Sequence, residues 1–306
     1  MTRRAVQRCA GPRSATLRGV GPVGIALAAC LGLLASGCAA SRSFVYTPDE
    51  LRQEIRRRVP DLDREKIAVP HEIPAGALEA AERAMPRSRR SEIRLEALME
   101  ALADPRRFGL RYDWSVTDTA ARTLETRAGN CMSLASVVVG MARKLGLRAY
   151  YAKALRRDRD PEQVGNTRIW SGHMAAEIYT RSGRTFLDFS GRMGPEARYL
   201  RIDDVEAVAH FYNNRGYELM LNARRRGEPV PFEAVRRHFE IATRIAPEFA
   251  QAWNNLGVAL SRLGERSAAQ RMYHTALEND PGLQAARMNL EQLGFSPDRP
   301  APARRQ

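Results

Sequence analysis

Lysine is nearly missing from this 306-residue chain: Lys66, Lys144 and Lys153 stand against 46 arginines. So lopsided a choice reflects codon usage in a GC-rich genome. The formal charge of +14 is spread along the chain and does not mark a nucleic-acid stripe. Cysteine is scarce as well. Of four, three fall within the first 38 residues, and no CxxC or HxxxH pair offers metal-ligand spacing. The glycines do not gather into a phosphate-cradling loop, so no nucleotide and no other cofactor is implied. The dense apolar stretch Ile25–Leu34 is too short to cross roughly 30 Å of hydrocarbon as a helix. An apolar share of 44% with 27% charged residues excludes global disorder and a polytopic membrane protein. The length suits about two domains with at least one sizeable core.

What is present begins with an address. Residues 1–19 carry Arg3, Arg4, Arg8, Arg13 and Arg18 with no acid, and no charge follows from Val20 to Gly37. That is the charged region and apolar region of a secretory signal. Its end, Leu34-Ala35-Ser36-Gly37-Cys38, resembles a bacterial lipobox, with Ala35 where leucine is usual. The resemblance implies cleavage before Cys38, acylation of its sulfur, and tethering to a membrane. Ala39 after the cysteine implies the outer membrane if the host is Gram-negative. Removal of residues 1–38 leaves 44 basic against 35 acidic side chains and a single thiol, Cys131, in an oxidising compartment. A lone cysteine there is either buried and inert or kept for chemistry.

After a tether from residue 39, a helical lead-in reaches residue 109. Thr47-Pro48-Asp49-Glu50 is a helix start with an N-cap, a proline at the first position and two acids. Helices are expected to about Val59, near 75–85 and over 90–103, the last with an apolar stripe of Ile93, Leu95, Leu98, Met99 and Leu102. From 110 to 200 one helix precedes several strands, an α+β pattern. Leu134, Val137, Val138, Met141, Ala142 and Leu145 share a helical face that Gly146 ends. Strand signals follow at Leu147–Leu155, then a charged loop from Arg156 to Arg168. Met174–Tyr179 and Thr185–Phe189 flank a hairpin turn at Arg181–Arg184.

Cys131 opens the helix, where unpaired N–H groups and the helix dipole favour a thiolate. His173 stands at the start of one hairpin strand and Asp188 at the end of the other. Alone, the first reads as a strand histidine and the second as a turn-proximal acid. Together they can be cross-strand neighbours in which the carboxylate orients the imidazole, giving nucleophile, base and orienter in chain order. The run Arg127-Ala128-Gly129-Asn130-Cys131, the helix ending Lys144-Leu145-Gly146, His173 and Asp188 resemble the bacterial transglutaminase-like domain. The resemblance covers about 110–195 and implies a papain-like fold. Its implied roles are nucleophile for Cys131, general base and acid for His173, and orienter for Asp188. Small residues follow His173 where the family commonly has an aromatic. The Cys131 N–H is one expected oxyanion donor, with Tyr112 or Trp114 as candidates for the second. His71, His210, His238 and His274 have no motif around them.

Residues 203–294 read as helical repeats. Trp253-x2-Leu256-Gly257-x2-Leu260, Ala269-x3-Tyr273, Ala276 and Pro281 follow the tetratricopeptide pattern, and Pro247 and Pro281 stand one 34-residue period apart. Tyr212, Gly216, Leu219, Phe239, Ala242 and Pro247 form a degenerate earlier copy, and Gln284–Leu293 is a capping helix. Two repeats are fewer than such arrays need, so they are expected to pack on the preceding domain and to offer a surface to a protein or peptide partner. The proline-bearing tail, 295–306, is expected to be disordered. Two functions fit: a thiol enzyme acting on amide bonds in the cell envelope, or a non-catalytic scaffold lipoprotein with a vestigial triad. The lipobox predicts that Cys38→Ala abolishes acyl labelling and moves the protein from the membrane fraction to unprocessed precursor, as read by fractionation and radiolabelled fatty acid. Unchanged labelling would refute it.

Overall fold

The computed structural model describes residues 6–8, 44–155, 162–164, 167–169, 172–191 and 197–297. Cys38, the expected leader apart from residues 6–8, residues 156–161 and most of the expected tail lie outside the described residues. Helix α1 (Pro48–Arg58) starts as expected: Thr47 and Glu50 form a reciprocal capping box. Helices α2 (Ala75–Ala84) and α3 (Ser91–Ala103) follow. On α3, Leu95, Leu98 and Leu102 are buried, whereas Ile93, in the first turn, is 38% exposed. Strand β2 (Arg111–Tyr112) pairs in parallel with β3 (Ala128–Gly129), and the short α4 (Ala120–Thr126) lies between them.

Helix α5 (Cys131–Lys144) is the centre of the molecule. Twelve consecutive residues, Cys131 to Ala142, are buried, so the helix is wrapped on every side rather than on one face. One side rests on a five-stranded antiparallel sheet ordered β1-β8-β7-β4-β9. Its members are β4 (Arg148–Leu155), β7 (Met174–Thr180), β8 (Gly183–Leu187) and β9 (Arg198–Ile202), with β1 (Val6–Arg8), from the expected leader, at the edge. The face toward α5 carries Ala149, Tyr151, Ala176, Ile178, Leu187 and Ile202, all buried. On another side Gly140 admits the main chain of the α1–α2 connection. A Cβ there would stand 2.2 Å from the His71 carbonyl oxygen.

The expected charged loop holds a two-stranded ribbon, β5 (Glu162–Val164) and β6 (Thr167–Ile169). It is anchored by the Arg168 backbone and by the fully buried Ile169 on helices far along the chain. The C-terminal part is five helices: α6 (Asp204–Arg225), α7 (Phe232–Ile245), α8 (Ala250–Arg262), α9 (Arg266–Asn279) and α10 (Gln284–Gln292). Two successive hairpins are built on the same contact. Gly216 on α6 lets the Phe239 ring of α7 lie against its backbone, and Gly257 on α8 does the same for Tyr273 of α9. An added Cβ would come within 2.7 and 2.6 Å of those rings.

Helix α6 belongs to both halves. Val205, Val208, Phe211 and Tyr212 join the main core with α5 and the sheet, while Tyr217 and Met220 join the helical core. Its first turn is fixed by a fork: Arg143 of α5 donates to Asp204 through both terminal nitrogens, at 2.7 and 2.9 Å, and the Tyr46 N–H donates to the same carboxylate. The Asp204 side chain is fully buried. Asp204→Ala leaves the Arg143 guanidinium buried without its carboxylate and should cost about 3–5 kcal/mol. The check is the urea midpoint at unchanged slope, and a loss under 1 kcal/mol would mean that Arg143 finds water instead.

Candidate active site

The position of Cys131 is built by the turn before α5. Arg127 closes α4 in a left-handed conformation, φ 58°, held by the Arg111 N–H to its carbonyl. Gly129 follows where a Cβ would strike Ser133 at 2.5 Å. Asn130 caps α5: its Oδ1 accepts from the Met132 and Ser133 N–H groups at 3.0 and 3.1 Å. The cap is itself held, since Asn130 Nδ2 donates to Thr117 Oγ1 at 2.8 Å and the Asn130 N–H to the Val116 carbonyl at 2.7 Å. Helix α6 supports that loop in turn. Glu218 accepts from the Thr117 N–H at 2.8 Å, and Arg215 donates to the Thr117 carbonyl at 3.0 Å.

Cys131 is thus the first residue of a fixed, capped helix. It is 6% exposed, with Sγ 3.9 Å from the Gly172 carbonyl oxygen. His173 sits at the foot of β7, its carbonyl accepting from the Ala154 N–H of β4. The β7–β8 register pairs Ala176 with Leu187 and, continued beyond the strands, sets Ser190 opposite His173 and Asp188 opposite Ala175. The side chains meet accordingly. His173 Nε2 lies 2.9 Å from Asp188 Oδ1 and 3.4 Å from Ser190 Oγ. The Cys131 side chain is the imidazole's other electrostatic partner. The three residues singled out in the sequence therefore adjoin one another.

Burial alone would lower the basicity of His173. The hydrogen bonds and charges of Asp188 and Cys131 overcome it and hold the imidazole at about 9. Burial would likewise raise Asp188, but the imidazolium and two bonds from Ser190, N–H at 2.8 Å and hydroxyl at 2.9 Å, keep it below its ordinary value. Tyr199 of β9 adds a hydroxyl to Asp188 Oδ2 at 3.4 Å, and its ring stacks on Phe186 at 4.8 Å. Ser190 and Tyr199 had not been singled out. The Asp188-x-Ser190 spacing carries the signal of an Asx turn, whereas nothing near Tyr199 marks it. Of the candidates for a second oxyanion donor, Trp114 is exposed with its ring under the Arg225 guanidinium at 4.6 Å, and Tyr112 packs against the main core. Among the described residues no group of three His, Cys, Asp or Glu side chains is placed to hold a metal ion.

Residues 85–216 match the family model of the transglutaminase-like superfamily, a span from the end of α2 into α6 that includes all three residues. This segment is a transglutaminase-like domain. No curated protein and no solved structure matches the chain.

The His173–Asp188 pair has a defined pH window. The histidine's share of stability is complete below about 6.5, its unfolded value, and fades as pH rises through about 9. The carboxylate's share is present above about 3.9 and is lost as pH falls through its lowered native value. By NMR, the His173 ring should titrate at about 9, and Asp188→Asn should bring it down toward or below the ordinary 6.5 as burial loses its opponent. A wild-type ring titrating near 6.5 would contradict the pairing.

Proposed function

We propose that this protein is a lipid-anchored envelope enzyme that acts on amide bonds through Cys131, His173 and Asp188. It hydrolyses peptide, isopeptide or glutamine-type amides, or passes their acyl group to an amine. The transglutaminase-like domain supports cysteine-dependent amide chemistry. The observation that carries the reading is one imidazole 2.9 Å from a largely buried carboxylate, with Cys131, the only thiol left after export, as its other electrostatic partner. In this scheme the Cys131 thiolate attacks the amide carbonyl carbon. The Cys131 N–H, which has no carbonyl four residues earlier within the helix, faces the developing oxyanion. The His173 imidazolium gives its proton to the leaving amine as the C–N bond breaks, leaving a thioester and a neutral imidazole. That imidazole then takes a proton from water or an incoming amine, whose attack releases the acyl group and restores the thiol–imidazole pair. Acyl chains on Cys38 hold the mature protein at the membrane, and a protein or peptide partner meets the helical segment on the surface left open by the domain.

Two pH profiles test this. Iodoacetamide should alkylate Cys131 rapidly well below about pH 8.5, the range of a free thiol, and His173→Ala should slow it at neutral pH about tenfold or more. Amide turnover should fall above about pH 9, where His173 loses the proton needed by the leaving group, while alkylation should not, because the thiolate persists. Wild type and His173→Ala alkylated alike, each as an ordinary thiol, would leave a structural cysteine and favour the scaffold.

A further inference from the structure

Along one side of α6, α8 and α10 runs a row of buried asparagines: Asn213, Asn254, Asn255 and Asn289. Asn255 and Asn289 stand 34 residues apart, the same place in successive repeats. Buried amides need partners, and here they find each other and one piece of backbone. Asn255 donates to Asn213 at 2.8 Å, and Asn289 donates to Asn254 at 2.9 Å. The backbone is that of Arg168 in β6. Its N–H donates to Asn289 Oδ1 at 3.0 Å, and its carbonyl accepts from Asn289 at 2.9 Å and from Asn254 at 3.1 Å. One side-chain amide thus satisfies both main-chain groups of one residue, a contact that reads extended backbone whatever the side chain. The next residue, Ile169, is fully buried in the helical core between these helices.

We infer that Asn254 and Asn289 form a backbone clamp whose ligand is this chain's own β6, and that they act as positioning residues for His173, four residues downstream. The inference rests on the thiol–imidazole reading above. The helices hold the site from two sides: α6 fixes the loop that caps the Cys131 helix, and α8 with α10 fix the strand that leads to the histidine. Each clamped atom is polar backbone in a part-buried setting and is bonded to a buried asparagine, so it is best satisfied in one position. A shift of about 1 Å at the imidazole is enough to uncouple it from the sulfur, with losses up to about a hundredfold in rate.

The test uses the whole mature chain and reads the pH profile of Cys131 alkylation. Asn254→Ala with Asn289→Ala should lower the rate at about pH 6 roughly tenfold and move the profile toward that of a free thiol. A second variant, a short glycine-serine insertion directly after Ile169, leaves both clamp and His173–Asp188 pair in place but cuts the connection, and should do the same. It decides the matter if the double variant fails to fold by circular dichroism. A wild-type profile retained in a folded double variant, or in the insertion variant, overturns the clamp and leaves the triad standing. A wild-type profile already indifferent to His173→Ala overturns both. Near-neutral reactivity lost from both variants, with melting transitions preserved, establishes it.

Discussion

A helix buried over twelve of its fourteen residues cannot leave its ends to chance, and most of this fold follows from meeting that demand for α5. Its first N–H groups go to the Asn130 side chain, so Asn130 must be immobile, and the loop through Val116 and Thr117 makes it so. At the other end Arg94 reaches the Leu145 carbonyl, and Arg143 turns back to the Ala149 carbonyl and forks onto Asp204. Each solution recruits another element: α3, β4, the tether before α1, and α6. Cys131 is held rigidly because its helix is fixed at both ends by the protein itself.

That arrangement explains why the helical segment is no appendage. A two-hairpin array exposes its terminal faces and needs something to cover them. Here α6 lends one half to the main core, and Arg58 of α1 donates to the Ile245 carbonyl of α7 at 2.6 Å, tying the lead-in to the same helices. In exchange the array presents Glu218 and Arg215 to the capping loop and its asparagines to β6. Burial and site geometry are served by the same contacts.

Local features were legible in the sequence, and distant ones were not. The N-cap at Thr47, the start of α5, the β7–β8 hairpin and the proximity of His173 to Asp188 all depend on residues within about twenty positions of each other. Periodicity and turn chemistry report such features directly. The β5–β6 ribbon has no such signature, because its partners Asn254 and Asn289 lie 86 and 121 residues away. Tyr199 escaped for a related reason: it reaches Asp188 only after β9 has crossed to pair with β4 on the side away from β7. The stripe on α3 was readable as a pattern but not in extent, since Leu98 is fully buried while Ile93 is 38% exposed.

Five histidines lie in the described chain, and their charges separate by partner rather than by burial. His71 is buried 3.8 Å from the Asp204 carboxylate, yet burial lowers its pKa, because Arg143 already holds both oxygens and its own positive charge opposes another. His210 lies 3.9 Å from Glu206, but Glu206 is paired with Lys153, and burial again wins. His238 has arginines nearby and is pushed down to about 4, first by burial and then by their charge. Of these four, His173 alone meets a carboxylate whose other bonds, from Ser190 and Tyr199, come from neutral hydroxyl and amide donors. Such donors stabilise the anion without competing for it as a cation would. The carboxylate therefore keeps its charge for the histidine, and the histidine remains protonated at neutral pH beside the sulfur.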